Sequence, residues 1–224
     1  CIRDSNTIMQ GVWSYLLSCY TGTNKVTFGV IVSGRPSELT NVEQRVGMFI
    51  NTLPLFTEIE KTDSIIKWLN SLQESQMASH TYQYSSLQEI QAWTGVQGDI
   101  FDSILVFENY PVSKVISTNQ WSLEVEKIHI QQNTNYPLTL KIGNAELINI
   151  HFTYNSSILD TYYVDNIREH FKNVLLQIID NPTASINKIK ILSESDELKI
   201  INNFNETFID YPDAVSYTHL TLPT

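Results

Sequence analysis

Cysteine is nearly missing from the chain: Cys1 and Cys19 are the only two in 224 residues, too few for a disulfide framework. That usage points to a reduced, cytoplasmic setting. Eight glycines and seven prolines fall well under the roughly 12% that the pair averages, which excludes collagen-like, linker and low-complexity classes. Long regular elements joined by short loops are expected instead. Charge is sparse as well, at 17% of residues, and its balance is lopsided: 14 Lys and Arg against 24 Asp and Glu, a formal net charge of −10. The basic residues are scattered singly, so the chain lacks the footprint for phosphate backbones or anionic lipid. No nucleic-acid and no membrane partner is expected. The longest apolar runs, such as residues 104–107 and 174–176, are far short of the about 20 residues that span a bilayer.

Against these absences stands a hydrophobic content of 42%, enough to build a core. Residues 7–19 (TIMQGVWSYLLSC) carry apolar side chains at helical spacing, and the chain opens inside this helix on Cys rather than Met, so it reads as a fragment. Residues 25–32 (KVTFGVIV) have the composition of a buried strand. Residues 46–57 (VGMFINTLPLFT) read as another, with Pro54 at a bulge or an edge. Asp63 is the expected cap of a helix over 64–79 that buries Ile65, Trp68 or Leu69, Leu72 and Gln76 or Met77. Ser86 and Glu89 have capping-box spacing, which predicts a short helix over 87–93. Residues 103–107 (SILVF) form a short strand. Residues 121–130, 138–142 and 146–154 alternate, the last placing Ile148, Ile150, Phe152 and Tyr154 on one buried face. A long amphipathic helix over 159–179 stops at Asn181-Pro182, and Ser193 starts one more, with Leu198, Ile201 and Phe204 on its apolar side. The fold class is α/β.

Self-contained catalysis leaves recognisable constellations, and the common ones are missing. The chain has no Gly-x-Ser-x-Gly elbow and no phosphate-binding glycine loop. His80, His129, His151, His170 and His219 are never three or four residues apart, and two cysteines without paired spacing cannot build a zinc site, so no metal is expected. The histidines read as surface or satisfied structural residues. Asp99, Asp102 and Glu108 read as solvated or salt-bridged carboxylates. Asn155 and Asn205 sit in glycosylation sequons, which the expected compartment makes incidental.

Four segments in order change this reading. They are residues 28–36 (FGVIVSGRP) with Val42-Glu43 and 46–54 (VGMFINTLP); residues 84–90 (YSSLQEI) after His80; residues 101–111 (FDSILVFENYP); and Tyr136-Pro-Leu138 with the sheet and helix that follow. Together, from about Thr7 to Asp213, they resemble the C-terminal half of a nonribosomal peptide synthetase condensation domain. The resemblance implies a chloramphenicol acetyltransferase-like C-terminal lobe, a mixed β-sheet with flanking helices. It occupies residues 1–190, with 191–213 as a connector toward a downstream adenylation domain. Residues 215–224 resemble translated sequencing-adapter read-through, so 214–224 read as a non-native tail.

The family's reaction is acyl transfer. An acceptor α-amine attacks a donor thioester, and both are presented on 4′-phosphopantetheine arms by donor and acceptor peptidyl carrier domains in a tunnel between two lobes. The active-site motif His-His-x-x-x-Asp-Gly belongs to the N-terminal lobe and does not occur in these 224 residues. The resemblance therefore implies no catalytic residue here, no cofactor bound by this lobe, and no transfer by the chain alone. Carried over position by position, it sets Ser33, Gly34, Arg35, Gly47, Asn51 and Thr52 beside the tunnel. Gly34 and Gly47 would permit close backbone approach, and Asn51 would offer a donor and an acceptor to the amide-rich arm; alternatively, Asn51 and Thr52 satisfy backbone groups at a strand end. Residues 101–111 would serve lobe architecture rather than substrate contact, and Tyr82, Tyr84 and Trp93 packing rather than a side-chain selectivity pocket. A stand-alone carrier-binding module without catalysis is the competing reading, and a small-molecule acyltransferase of the same superfamily a third. A lobe whose tunnel-facing surface goes uncovered should aggregate.

Overall fold

The computed structural model describes residues 2–33, 40–108, 134–144 and 147–207. One compact unit comprises Cys1–Ile191 and a second Leu192–Thr224. In the first, helix α1 (Ile2–Thr21) runs further at both ends than its apolar periodicity predicts. Strand β1 (Lys25–Val32) falls where the sequence places it, with Val26, Phe28, Val30 and Val32 buried in alternation. Strand β2 (Asn51–Glu58) pairs antiparallel with β1. Helix α2 (Ile65–Ser79) and helix α3 (Leu87–Thr94) follow. Then come β3 (Ser103–Glu108), β4 (Leu138–Asn144), β5 (Ile148–Tyr154) and helix α4 (Thr161–Asp180). The strands form a five-stranded sheet in the order β2-β1-β3-β4-β5. Its inner pairs β1–β3 and β3–β4 are parallel and its outer pairs antiparallel, so it is the expected mixed sheet.

The core lies between one sheet face and α1, α2 and α4. Phe28, Leu55, Leu105 and Leu140 from the sheet meet Trp13, Leu16, Trp68 and Phe171 from the helices. Trp13, 1% exposed, donates its indole N–H to Ser103 Oγ at 3.1 Å, which fastens α1 to β3. Tyr15 donates to the Ile189 carbonyl at 2.6 Å. Burial, with the neighbouring Cys19 thiol adding to it, pushes the Tyr15 phenol far above its ordinary pKa, so it stays a donor throughout the physiological range. Gly11 lets α1 lie close to α2, because a Cβ there would overlap Leu69 Cδ2. Pro54 sits on β2, outermost of the described strands, where the missing N–H costs no ladder bond on a far side.

Several expectations are corrected. Residues 46–50 are not strand, and Val46 and Met48 are 103% and 97% exposed. β1 ends at Val32, opposite Asn51, so the residues before Asn51 have no β1 partner to pair with. The cap of α2 is Ser64, whose Oγ accepts from Lys67 N; Asp63 instead pairs with Lys67 Nζ at 2.6 Å. Met77 is exposed while Ile65, Trp68 and Leu72 are buried. On β5, Ile150, Phe152 and Tyr154 pack on the core, Phe152 edge-on to Phe171 at 5.9 Å. Ile148, at the end of the strand opposite Asn144, is half exposed. The alternation over 121–130 lies outside the described residues.

In the second unit Ser193 caps the short helix α5 (Glu194–Leu198), which passes into a π-helical turn, Lys199–Asn203. Leu198, Ile201 and Phe204, the expected apolar side, are exposed. Among the described residues no helix is long and apolar enough to cross a membrane.

Candidate functional site

The β1–β2 register brings two of the sequence-selected segments together. Val32 lies opposite Asn51 and Ile31 opposite Thr52, so Ser33, exposed just past β1, is next to the start of β2. Gly34 and Arg35 lie outside the described residues. Gly47 is exposed, and a Cβ there would meet only the Phe49 ring, at 3.3 Å; no close backbone approach among the described residues requires a glycine.

Asn51 is half-buried at the first position of β2. Its Nδ2 donates to the carbonyls of Gln83 at 2.9 Å and Ser85 at 2.8 Å, and its Oδ1 accepts from Thr52 N at 2.9 Å. A carboxamide has two N–H groups, and both are spent. The expectation that Asn51 supplies a donor to a ligand is therefore corrected, and the backbone-satisfying alternative describes its contacts.

The turn held by Asn51 is built locally. Gln83 N donates to the His80 carbonyl and Ser85 N to the Tyr82 carbonyl. Ser86 then starts α3 with a full capping box: Ser86 Oγ accepts from Glu89 N, while the Glu89 carboxylate accepts from Ser86 N at 2.8 Å and Ser86 Oγ at 2.9 Å. Those two bonds, the backbone one foremost, hold the Glu89 pKa below its ordinary 4.5. A depressed carboxyl stabilises the fold fully above its unfolded pKa, and that contribution is lost as pH falls through the lower folded value. Hydrogen-exchange protection of α3 should therefore weaken as pH is lowered from about 5 to about 3. Glu89→Gln should remove that pH dependence; a variant that titrates like the wild-type chain would show that another group is responsible.

Tyr82, Tyr84 and Trp93, expected to pack, are 61%, 58% and 65% exposed. They stand on a turn and a short helix of which Ile90 is the side chain that packs on the core, and their own apolar area faces solvent.

On the sheet face away from the helices, the Phe101 ring covers Gly29 and stacks on Tyr136 with ring centroids 5.3 Å apart. Burial, with Asp99 beside it, raises the Tyr136 pKa. Glu108 pairs with Lys141 at 3.1 Å, and Asp99 and Asp102 are exposed. Asn109, Tyr110 and Pro111 lie outside the described residues. His170 Nδ1 and the Tyr20 hydroxyl share a hydrogen bond of 2.8 Å, and His151 is exposed opposite Lys141; His129 and His219 are not among the described residues. A cavity of about 390 Å³ between α1 and the end of α2 is lined by Asn6, Gln73, Gln76, Met77 and His80; Ser33, Gly47, Asn51 and Thr52 are not among its lining residues. Sequence reasoning offered a backbone-satisfying role for Asn51 but not its partners, and it missed the Trp13–Ser103 bond; these partners are 32, 34 and 90 positions apart and leave no local signal.

The model of the Condensation domain family matches residues 4–201. A linear gramicidin synthase polypeptide of Brevibacillus parabrevis is 35% identical over 212 residues, covering 94% of this chain and 4% of that protein. A mycosubtilin synthase polypeptide of Bacillus subtilis is 35% identical over 210 residues, 92% of this chain and 8% of that one. The chain thus spans under a tenth of the length of these curated relatives. Among solved structures, a four-domain nonribosomal peptide synthetase bound to AMP and glycine superposes with a TM-score of 0.74 at 13% identity, over 85% of this chain and 16% of that one. The first condensation domain of the CDA synthetase gives 0.63 at 15% identity, over 84% and 42%.

Proposed function

The chain belongs to the condensation domain family, and from that premise we propose that it is the C-terminal lobe of a peptide-bond-forming domain in a larger synthetase. The observation that carries this is the family match across residues 4–201 together with relatives that are peptide synthases. In the proposed reaction the acceptor amine nitrogen bonds to the donor thioester carbonyl carbon. The C–S bond breaks, and the sulfur leaves as a thiol carrying the proton that the amine gives up. The phosphopantetheine arms belong to the carrier domains and enter as substrate. The lobe's part is to form one wall of their tunnel, along Ser33, Gly34, Arg35, Gly47, Asn51 and Thr52. Support comes from the placement of Ser33 beside Asn51 and Thr52 at one end of the β1–β2 pair. It comes also from the neighbouring segment, where Val46, Met48 and Ile50 present apolar side chains to solvent, a surface suited to burial by an N-terminal lobe. Donor and acceptor carrier domains and a downstream adenylation domain complete the assembly. The general base lies outside these 224 residues.

The test uses the parent synthetase with its carriers loaded, read by mass spectrometry of the acceptor carrier. A peptidyl thioester is expected from the intact module, and none from the isolated 224 residues, which should also self-associate. An intact module that transfers nothing would overturn the function. Product from the isolated chain would overturn the placement of the base.

A further inference from the structure

We propose that Asn51 is a positioning residue, one that fixes the turn 80–86 against the tunnel-side end of β2 rather than holding the pantetheine arm. The inference rests on the function proposed above and adds a mechanical link between two segments far apart in sequence. Three observations carry it. Both Nδ2 hydrogens go to the carbonyls of Gln83 and Ser85, and Oδ1 takes Thr52 N, so the carboxamide has no donor left to offer an amide of the arm. Those carbonyls flank Tyr84 within a turn whose own hydrogen bonds run from Gln83 N to His80 and from Ser85 N to Tyr82. The clamp thus supplies partners that the turn's internal bonding does not. Finally, the chain passes directly from Ser85 to the capping box of α3, and α3 touches β2. One side chain therefore relates the strand that starts at the tunnel to the turn and helix behind it.

The chemistry predicts which replacement is worst. Asn51→Asp keeps the acceptor for Thr52 N but sets a carboxylate oxygen against two carbonyl oxygens, which converts two attractions into repulsions. Asn51→Ala only deletes the clamp. In the full synthetase, with loaded carriers supplied at varied concentration, kcat per folded molecule is expected to fall about tenfold to a hundredfold in Asn51→Asp, the scale on which a misplaced wall costs rate. A smaller fall is expected in Asn51→Ala, with apparent KM for either carrier within about twofold of wild type in both. The folded fraction comes from circular dichroism at the assay temperature, and Asn51→Ala keeps the test decisive if the Asp variant does not fold. Unchanged kcat per folded molecule would make the clamp structural only. A raised KM with kcat intact would make Asn51 a binding residue. Either result overturns the proposal, whereas a wild-type synthetase that transfers nothing overturns the function beneath it.

Discussion

Replacing Trp13 with Ala should cost about 3–5 kcal/mol, the range for emptying a buried aromatic site. A domain of ordinary stability holds about 5–15 kcal/mol in total, so a third or more of the folding free energy is at stake and the urea midpoint should fall steeply. Two effects combine at this position. The indole fills the space between α1 and the sheet at 1% exposure, and its N–H is the partner of Ser103 Oγ. Trp13→Phe separates them. It keeps most of the apolar area but strands a buried hydroxyl, at about 1–3 kcal/mol. Adding Ser103→Ala to Trp13→Phe should then recover part of the loss, because the unpaired hydroxyl goes with it. Urea unfolding followed by circular dichroism gives the order. Equal losses in the Ala and Phe variants would mean that the hydrogen bond rather than the filled volume dominates.

The second large effect is expected at Gly29. Its position in a central strand makes Gly29→Val favourable by strand propensity alone, since β-branched residues favour strands and glycine weakens them. Packing argues the opposite. A Cβ on Gly29 would overlap the Phe101 ring and come within 2.6 Å of Ile104 Cγ2. The ring cannot simply swing away, because Tyr136 is stacked on it. Overpacking a tight site costs about 1–3 kcal/mol and sometimes more, and Val adds two methyl groups beyond the Cβ, so the upper end is expected. Gly29→Ala should lose less, and Gly29→Ala with Phe101→Leu should regain stability relative to Gly29→Ala alone. A Val variant as stable as wild type would show that the sheet face is looser than its geometry indicates.

Legibility in the sequence follows the range of the interaction. β1 and the capping box of α3 are local signals, an apolar strand of eight residues and a Ser–Glu pair three apart, and both are readable as such. Residues 46–50 mislead because apolar composition reports a preference for burial and not a partner. β1 ends at Val32, and Val46, Met48 and Ile50 are left exposed. Tyr82, Tyr84 and Trp93 mislead for the same reason. The Asn51 role is visible as two alternatives, and only the positions of the Gln83 and Ser85 carbonyls decide between a donor for a ligand and a clamp for the backbone.

The bond from Tyr15 to the Ile189 carbonyl reaches across 174 positions, and that distance has a consequence in time. A ribosome adds about 5–20 residues per second, so α1 must wait roughly 9–35 s for the segment that caps its tyrosine. The parallel partner of β1, strand β3 from Ser103, also arrives late. During that interval the nascent helix has β1 and α2 beside it but not α4, so the part of its apolar stripe that α4 covers stays open. A holdase, or a pause after the last strand has emerged, would shield the growing chain; slower translation of the middle of the gene would lengthen its exposure.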